Sequence, residues 1–222
     1  MTLRICVSIL PKTVTEALRL IEKAEESHAD FIEVRLDSLE IVSGLTDLAH
    51  GKTPLIAANR SPAGTEAERQ ATLLNAAKSG FEYVDVDLSS PKLKALVNEV
   101  TVSGAKCIIS FHDHNGSLTL PELNSILEKE ISSGADVCKI VTTAKRVEDN
   151  LTLLKFTSTA SAKTKIVCFG MGELGKTSRL LSPVFGGFFT FASLERGSET
   201  ALGQMTVQEM KAAYELLGLK SK

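Results

Sequence analysis

Apolar and polar positions along the chain follow two alternating periods. Eight short runs rich in β-branched and aromatic residues have the length and composition of strands: Arg4 to Leu10, Phe31 to Leu36, Pro54 to Asn59, Tyr83 to Leu88, Ala105 to His112, Asp136 to Thr142, Lys165 to Gly170 and Gly187 to Ala192. Between them, segments such as Val14 to Ser27, Glu66 to Ser79, Leu120 to Ser132, Val147 to Thr159 and Val207 to Leu217 space their apolar residues three and four apart, as amphipathic helices do. Strict strand–helix alternation implies parallel strands joined by right-handed crossovers. Eight such units in 222 residues fit the small end of a closed (β/α)8 barrel, read as one catalytic domain over residues 1–222. A doubly wound open sheet is the competing architecture. No Pro/Ser-rich linker, composition shift or further repeat divides the chain.

Composition adds exclusions. With 43% apolar residues the chain can bury a sizeable core, and its net charge of −2 comes from dispersed groups with no basic block, so nucleic acid is not an expected partner. The apolar part of the N-terminus is too short for a signal peptide, and no run approaches the roughly 20 residues that span a bilayer. A cytoplasmic protein without membrane association is expected. Cys6, Cys107, Cys138 and Cys168 each lie in an apolar strand run without CxxC spacing, which points to reduced core packing.

In a barrel the ligand sits at the C-terminal ends of the strands, so polar residues closing apolar runs carry the chemical signal. A period of two puts Glu33 and Arg35 on one face of strand two, and Ser110 and His112 on one face of strand five. Strand three ends at Arg60, and Lys139 sits between Val137 and Val141 on its face of strand six. Five ionisable groups thus converge on one mouth. Singly, each also has a structural reading as an ion pair or a satisfied core group. Lys139 resists that reading: among Val137, Cys138, Ile140 and Val141 it is expected to be desolvated, which disfavours the ammonium and favours a nucleophilic amine. His112 and His114 share parity, so spacing alone does not choose between them. A third ligand with metal-site spacing is missing, and no metal is expected. His28 and His50 close helical segments, as surface positions.

These residues, in this order, resemble the type I 3-dehydroquinate dehydratases, a family of (β/α)8 barrels of similar length. The resemblance covers nearly the whole chain: EVRLD (Glu33 to Asp37), Arg60, VDVDL, SFHD (Ser110 to Asp113), ADVCKI (Ala135 to Ile140), MGELGKTSR (Met171 to Arg179), TFAS and ALGQM (Ala201 to Met205). It implies that the substrate is 3-dehydroquinate, that Lys139 forms an imine with its ketone, and that His112 is the general acid/base. It further implies that Arg179 and Gln204 hold the substrate carboxylate, with Thr200 beside them, and that Glu33, Arg35 and Arg60 contact its hydroxyls. No cofactor is implied, and a homodimer is. Three departures stand out. Arg60 is followed by SPAGT where the family carries Glu-Gly-Gly a few residues on, so the carboxylate that would orient the histidine is missing or replaced. Thr200-Ala-Leu-Gly-Gln replaces Ser-Ala-Pro-Gly-Gln, and the loop before it is longer.

Two other readings compete. Gly170 to Thr177, GMGELGKT, satisfies both GxxxxGK[ST] and, in its first six residues, GxGxxG after a strand, with Glu195 about where a ribose-binding acid would lie. A nucleotide-binding sheet needs several strands after that loop, and only one remains. A lysine-imine aldolase acting on a phosphorylated sugar would instead use GMGELG as part of a phosphate cup. A non-catalytic scaffold is disfavoured because buried charge without function costs stability.

Overall fold

The structure is a computed structural model that describes residues 3–60 and 64–219. Ser61, Pro62 and Ala63 of the SPAGT stretch therefore lie outside the described residues. Eight strands form one sheet: β1 (Ile5–Ile9), β2 (Phe31–Arg35), β3 (Leu55–Ala58), β4 (Tyr83–Asp87), β5 (Lys106–Asp113), β6 (Val137–Thr143), β7 (Ile166–Met171) and β8 (Thr190–Ser193). Their order is β7-β6-β5-β4-β3-β2-β1-β8, every paired neighbour parallel. The terminal strands meet just before β8, where the Phe188 N–H donates to the Ile166 carbonyl at 2.7 Å. The sheet thereby closes into a single-domain (β/α)8 barrel.

The outer layer is α1 (Val14–Glu26), α2 (Glu66–Lys78), α3 (Leu93–Val102), α4 (Leu120–Ser132), α5 (Asp149–Ala160), α6 (Lys176–Leu181) and α7 (Val207–Leu216). Threonine starts four of them. Thr65, Thr119 and Thr206 form capping boxes with Glu68, Glu122 and Glu209, and Thr13 accepts from the Glu16 N–H. Each pairing satisfies backbone donors that a first helical turn leaves open.

The outer layer departs from strict alternation at one place. β2 and β3 are joined by two short 3-10 segments, Leu36–Ser38 and Leu45–His50, the second entered through Gly44 at φ 71°. Conversely, α3 was not among the helical segments read from periodicity. Its buried residues, Leu96, Val97 and Val100, occupy one face, but Val97, Val100, Thr101 and Val102 are β-branched and weaken the helical signal.

Inside the barrel, the period of two sorts side chains by height. Cys6, Phe31, Ile56, Tyr83, Ile108, Val137, Val167 and Phe189 fill the lower interior as one apolar cluster, with the Phe31 and Phe189 ring centroids 4.8 Å apart. Two residues further along their strands stand Ser8, Glu33, Asp85, Ser110 and Lys139, all buried. The apolar plug thus forces a layer of polar groups to the C-terminal mouth. All four cysteines are buried and free. Among the described residues, no helix is long and apolar enough to cross a membrane.

Candidate active site

A cavity of about 710 Å³ opens at the C-terminal ends of the strands and is lined by all eight residues singled out from the sequence: Glu33, Arg35, Arg60, His112, Lys139, Arg179, Thr200 and Gln204. At its floor Lys139 is 5% exposed. Its amine lies 2.8 Å from Asp85 Oδ2, 3.4 Å from Glu33 Oε2 and 4.2 Å from the centroid of the Phe191 ring. Burial of Lys139 is as expected, but its surroundings are not purely apolar: two carboxylates and an aromatic face accept the cation. Glu33 is fixed in turn by the Ser8 hydroxyl, which donates to Oε1 at 2.6 Å.

Asp85 is the residue that sequence reasoning missed. Its Oδ1 accepts from Arg60 Nη2 at 2.6 Å and from Ser110 Oγ at 2.6 Å, while its other oxygen holds Lys139. One carboxylate therefore ties β3, β4, β5 and β6 together at the mouth. Burial alone would raise its proton affinity. The charges of Arg60 and Lys139, with the hydrogen bond from Lys139, outweigh burial and hold Asp85 below the usual carboxylate range. The signal was present in VDVDL, where Tyr83, Asp85 and Asp87 share the inward face by the same parity that selected Glu33 and Arg35.

A folded-state carboxylate held this low stabilises the fold above the unfolded value of about 3.9 and loses that contribution as pH falls below it. Asp85→Asn is expected to flatten the acid limb of the stability profile, and to cost about 3–5 kcal/mol near pH 7 because Lys139 and Arg60 lose a buried partner. Urea titrations from pH 3 to 7 read both effects. An unchanged midpoint at pH 7 would mean that the network adds nothing to the fold.

His112 sits near the end of β5, paired in register with Val141 of the lysine strand. Its Nδ1 is buried and has no hydrogen-bond partner among the described residues. Burial, followed by the charges of Arg60 and Lys139, pushes His112 well below the usual histidine range, against the opposing charge of Asp85. The imidazole is thus neutral near pH 7, the form that can accept a proton. Arg35 is clasped by Asp37 through bonds of 2.9 and 2.7 Å, which aims its guanidinium across the rim.

Arg179, on α6, is 1% exposed and stacks over Phe169 at 4.2 Å. Burial lowers its pKa to about 9, so it remains a cation at neutral pH. Its Nε and Nη2 are buried without a hydrogen-bond partner among the described residues. A buried guanidinium edge with unused donors matches a carboxylate, which can accept two parallel N–H bonds. Gln204 and Thr200 face each other within the loop between β8 and α7, the lid at the cavity's edge: Gln204 Oε1 accepts from the Thr200 N–H at 2.7 Å, and its amide donates to Thr200 Oγ1 at 3.1 Å.

GMGELGKT has a different use from the one its pattern suggests. The Gly170 N–H donates to Ser178 Oγ at 2.9 Å and the Gly172 N–H to the Leu202 carbonyl at 3.0 Å, so donors that would cradle phosphate are already engaged. Lys176 pairs with Glu173 at 2.7 Å. Gly203, at φ 74°, lies so close to the Gly172 carbonyl that a Cβ would collide with it. The glycine-rich turn is the seat of the lid loop.

Comparison with known proteins agrees with this geometry. The family profile described as Type I 3-dehydroquinase matches residues 5–221. A 3-dehydroquinate dehydratase of Dehalococcoides mccartyi is 35% identical over 215 residues, covering 95% of this chain and 94% of that relative. The crystal structure of 3-dehydroquinate dehydratase from Geobacillus kaustophilus superimposes with a TM-score of 0.89 at 22% identity, covering 100% of this chain and 93% of that one. The type I 3-dehydroquinate dehydratase of Clostridium difficile with covalently modified comenic acid gives 0.88 at 25% identity, covering 97% and 92%. With its profile match running almost end to end and its barrel superimposing on these enzymes, the chain belongs to the type I 3-dehydroquinase family.

Proposed function

We propose that this chain dehydrates 3-dehydroquinate to 3-dehydroshikimate through an imine on Lys139, with His112 as general acid/base. The observation that carries the proposal is Lys139 itself, a buried amine on the cavity floor held at 2.8 Å by Asp85 and lining the same cavity as Glu33, Arg60 and Phe191. Attack on the substrate ketone and loss of water give a protonated imine, an electron sink that acidifies the adjacent C–H. His112, neutral near pH 7, takes that proton to leave an enamine. It then returns the proton to the departing hydroxyl, water leaves, and a conjugated α,β-unsaturated imine remains on Lys139. Hydrolysis of the imine releases the product and the amine. No step requires an external proton source, because the proton removed from carbon leaves in the water molecule.

Binding roles follow from charge and shape. Arg179 and Gln204 close on the substrate carboxylate, with Thr200 beside them on the lid. Glu33, Arg35 and Arg60 contact the hydroxyls from the opposite rim. Arg179→Lys is expected to raise KM several-fold while lowering kcat less, since a point charge replaces a planar two-pronged donor. Steady-state kinetics of the pure variant would decide, and an unchanged KM would assign Arg179 to the fold instead of the substrate. The proposal as a whole is tested by sodium borohydride with and without 3-dehydroquinate, since a reduced imine cannot hydrolyse.

A further inference from the structure

The proposed general base has an orientation problem that the dehydratase reading leaves open. A catalytic imidazole is ordinarily fixed by an acceptor on its second nitrogen, yet Nδ1 of His112 is buried with no hydrogen-bond partner among the described residues. Asp85, the floor carboxylate whose charge acts on it, already uses its oxygens on Arg60, Ser110 and Lys139. What does lie against the ring is a second ring. His114 stacks on His112 with centroids 6.5 Å apart and planes only 16° from parallel.

His114 is exposed just beyond the end of β5, but its backbone is held on both sides. The Asn115 N–H donates to Asp113 Oδ1 at 2.7 Å, Thr143 Oγ1 donates to the Asp113 carbonyl at 3.0 Å, and the Thr143 N–H donates to Gly116 at 3.1 Å. The turn that carries His114 is thus pinned to β6, the strand of Lys139. The backbone fixed this way places the His114 ring beside that of His112.

We infer that His114 is a positioning residue for His112, fixing the plane of the catalytic imidazole by stacking and opposing a second proton on it. This rests on the dehydratase reading. The charged groups around His112 are Arg60 at the end of β3, Asp85 on β4, Lys139 on β6 and His114 on its own strand's turn. Across the same mouth from α2, Glu66 and Arg69 pair at 2.6 Å. Arg60, Lys139 and His114 all act in one direction, keeping His112 neutral, and Asp85 acts in the other.

The two parts of the role separate by substitution. His114→Ala removes ring and charge, whereas His114→Phe keeps a ring that can stack but cannot titrate. kcat of His114→Ala is expected to fall about tenfold, within the 10²-fold that a misplacement of about 1 Å can cost. His114→Phe should restore most of that loss. In both variants the acid limb of kcat/KM should move to higher pH, because His112 no longer has a neighbouring cation to oppose its protonation. A merely structural role for His114 would leave that limb in place, and circular dichroism shows whether each variant folds. A kcat loss that phenylalanine does not restore, a wild-type kcat in His114→Ala, or an acid limb unmoved in either variant would overturn the inference. Failure of the dehydratase reading looks different: the wild-type protein itself would yield no borohydride adduct with 3-dehydroquinate.

Discussion

Lys139→Met is expected to reduce dehydration of 3-dehydroquinate to the uncatalysed background and to abolish the borohydride adduct at the same time. Methionine fills a similar volume on the cavity floor and can pack against Phe191, but it has no amine to attack the ketone. Without the imine there is no electron sink, and the adjacent C–H stays too weakly acidic for an imidazole to remove its proton. The fold should survive. Asp85 retains Arg60 Nη2 and Ser110 at 2.6 Å each, and Glu33 retains Ser8 at 2.6 Å, so neither carboxylate is left alone when the lysine goes. Activity followed by the absorbance of the conjugated product, together with a thermal melt, separates loss of chemistry from loss of structure. Residual turnover within tenfold of wild type would mean that the ketone is activated by another group.

His112→Ala should fail at a different step. The amine of Lys139 remains, so the imine can still form, while proton transfer loses its catalyst, a contribution typically worth about 10²- to 10⁴-fold. Covalent intermediate is then expected to accumulate, and intact mass after borohydride should show a substrate adduct in a protein that barely turns over. The pH dependence has a defined sign. Because burial and the charges of Arg60 and Lys139 hold His112 low, the wild-type enzyme should keep its activity on acidification past the usual histidine range and lose it only once the imidazole is protonated. If His112→Ala turned over normally and His114→Ala were inactive, the general base would be the outer histidine.

The barrel was legible because each strand had to bury an apolar lower half and so announced itself by composition. Its mouth was legible for the converse reason. Glu33, Arg35, His112 and Lys139 interrupt apolar strands at inward positions, where a charge has few structural excuses. Asp85 obeys the same rule and went unselected, since its meaning depends on partners 25 and 54 residues away, Arg60 and Lys139, that period-two counting does not connect. Local pattern misled in one direction as well. GMGELGKT carries a nucleotide-binding signature, but its amide donors are turned toward Ser178 and Leu202, contacts that only the closed barrel and the returning lid create. Thr200 and Gln204 pair four residues apart in sequence, yet only the fold sets that pair beside the buried Arg179 at one cavity.

The central claim is the covalent one, and the most direct measurement is borohydride reduction of the wild-type protein in the presence of 3-dehydroquinate, followed by intact mass and peptide mapping. The account predicts one substrate-derived adduct per chain, located on Lys139, with activity lost in proportion to labelling. Full turnover with no trapped adduct, or an adduct on any other lysine, would contradict it.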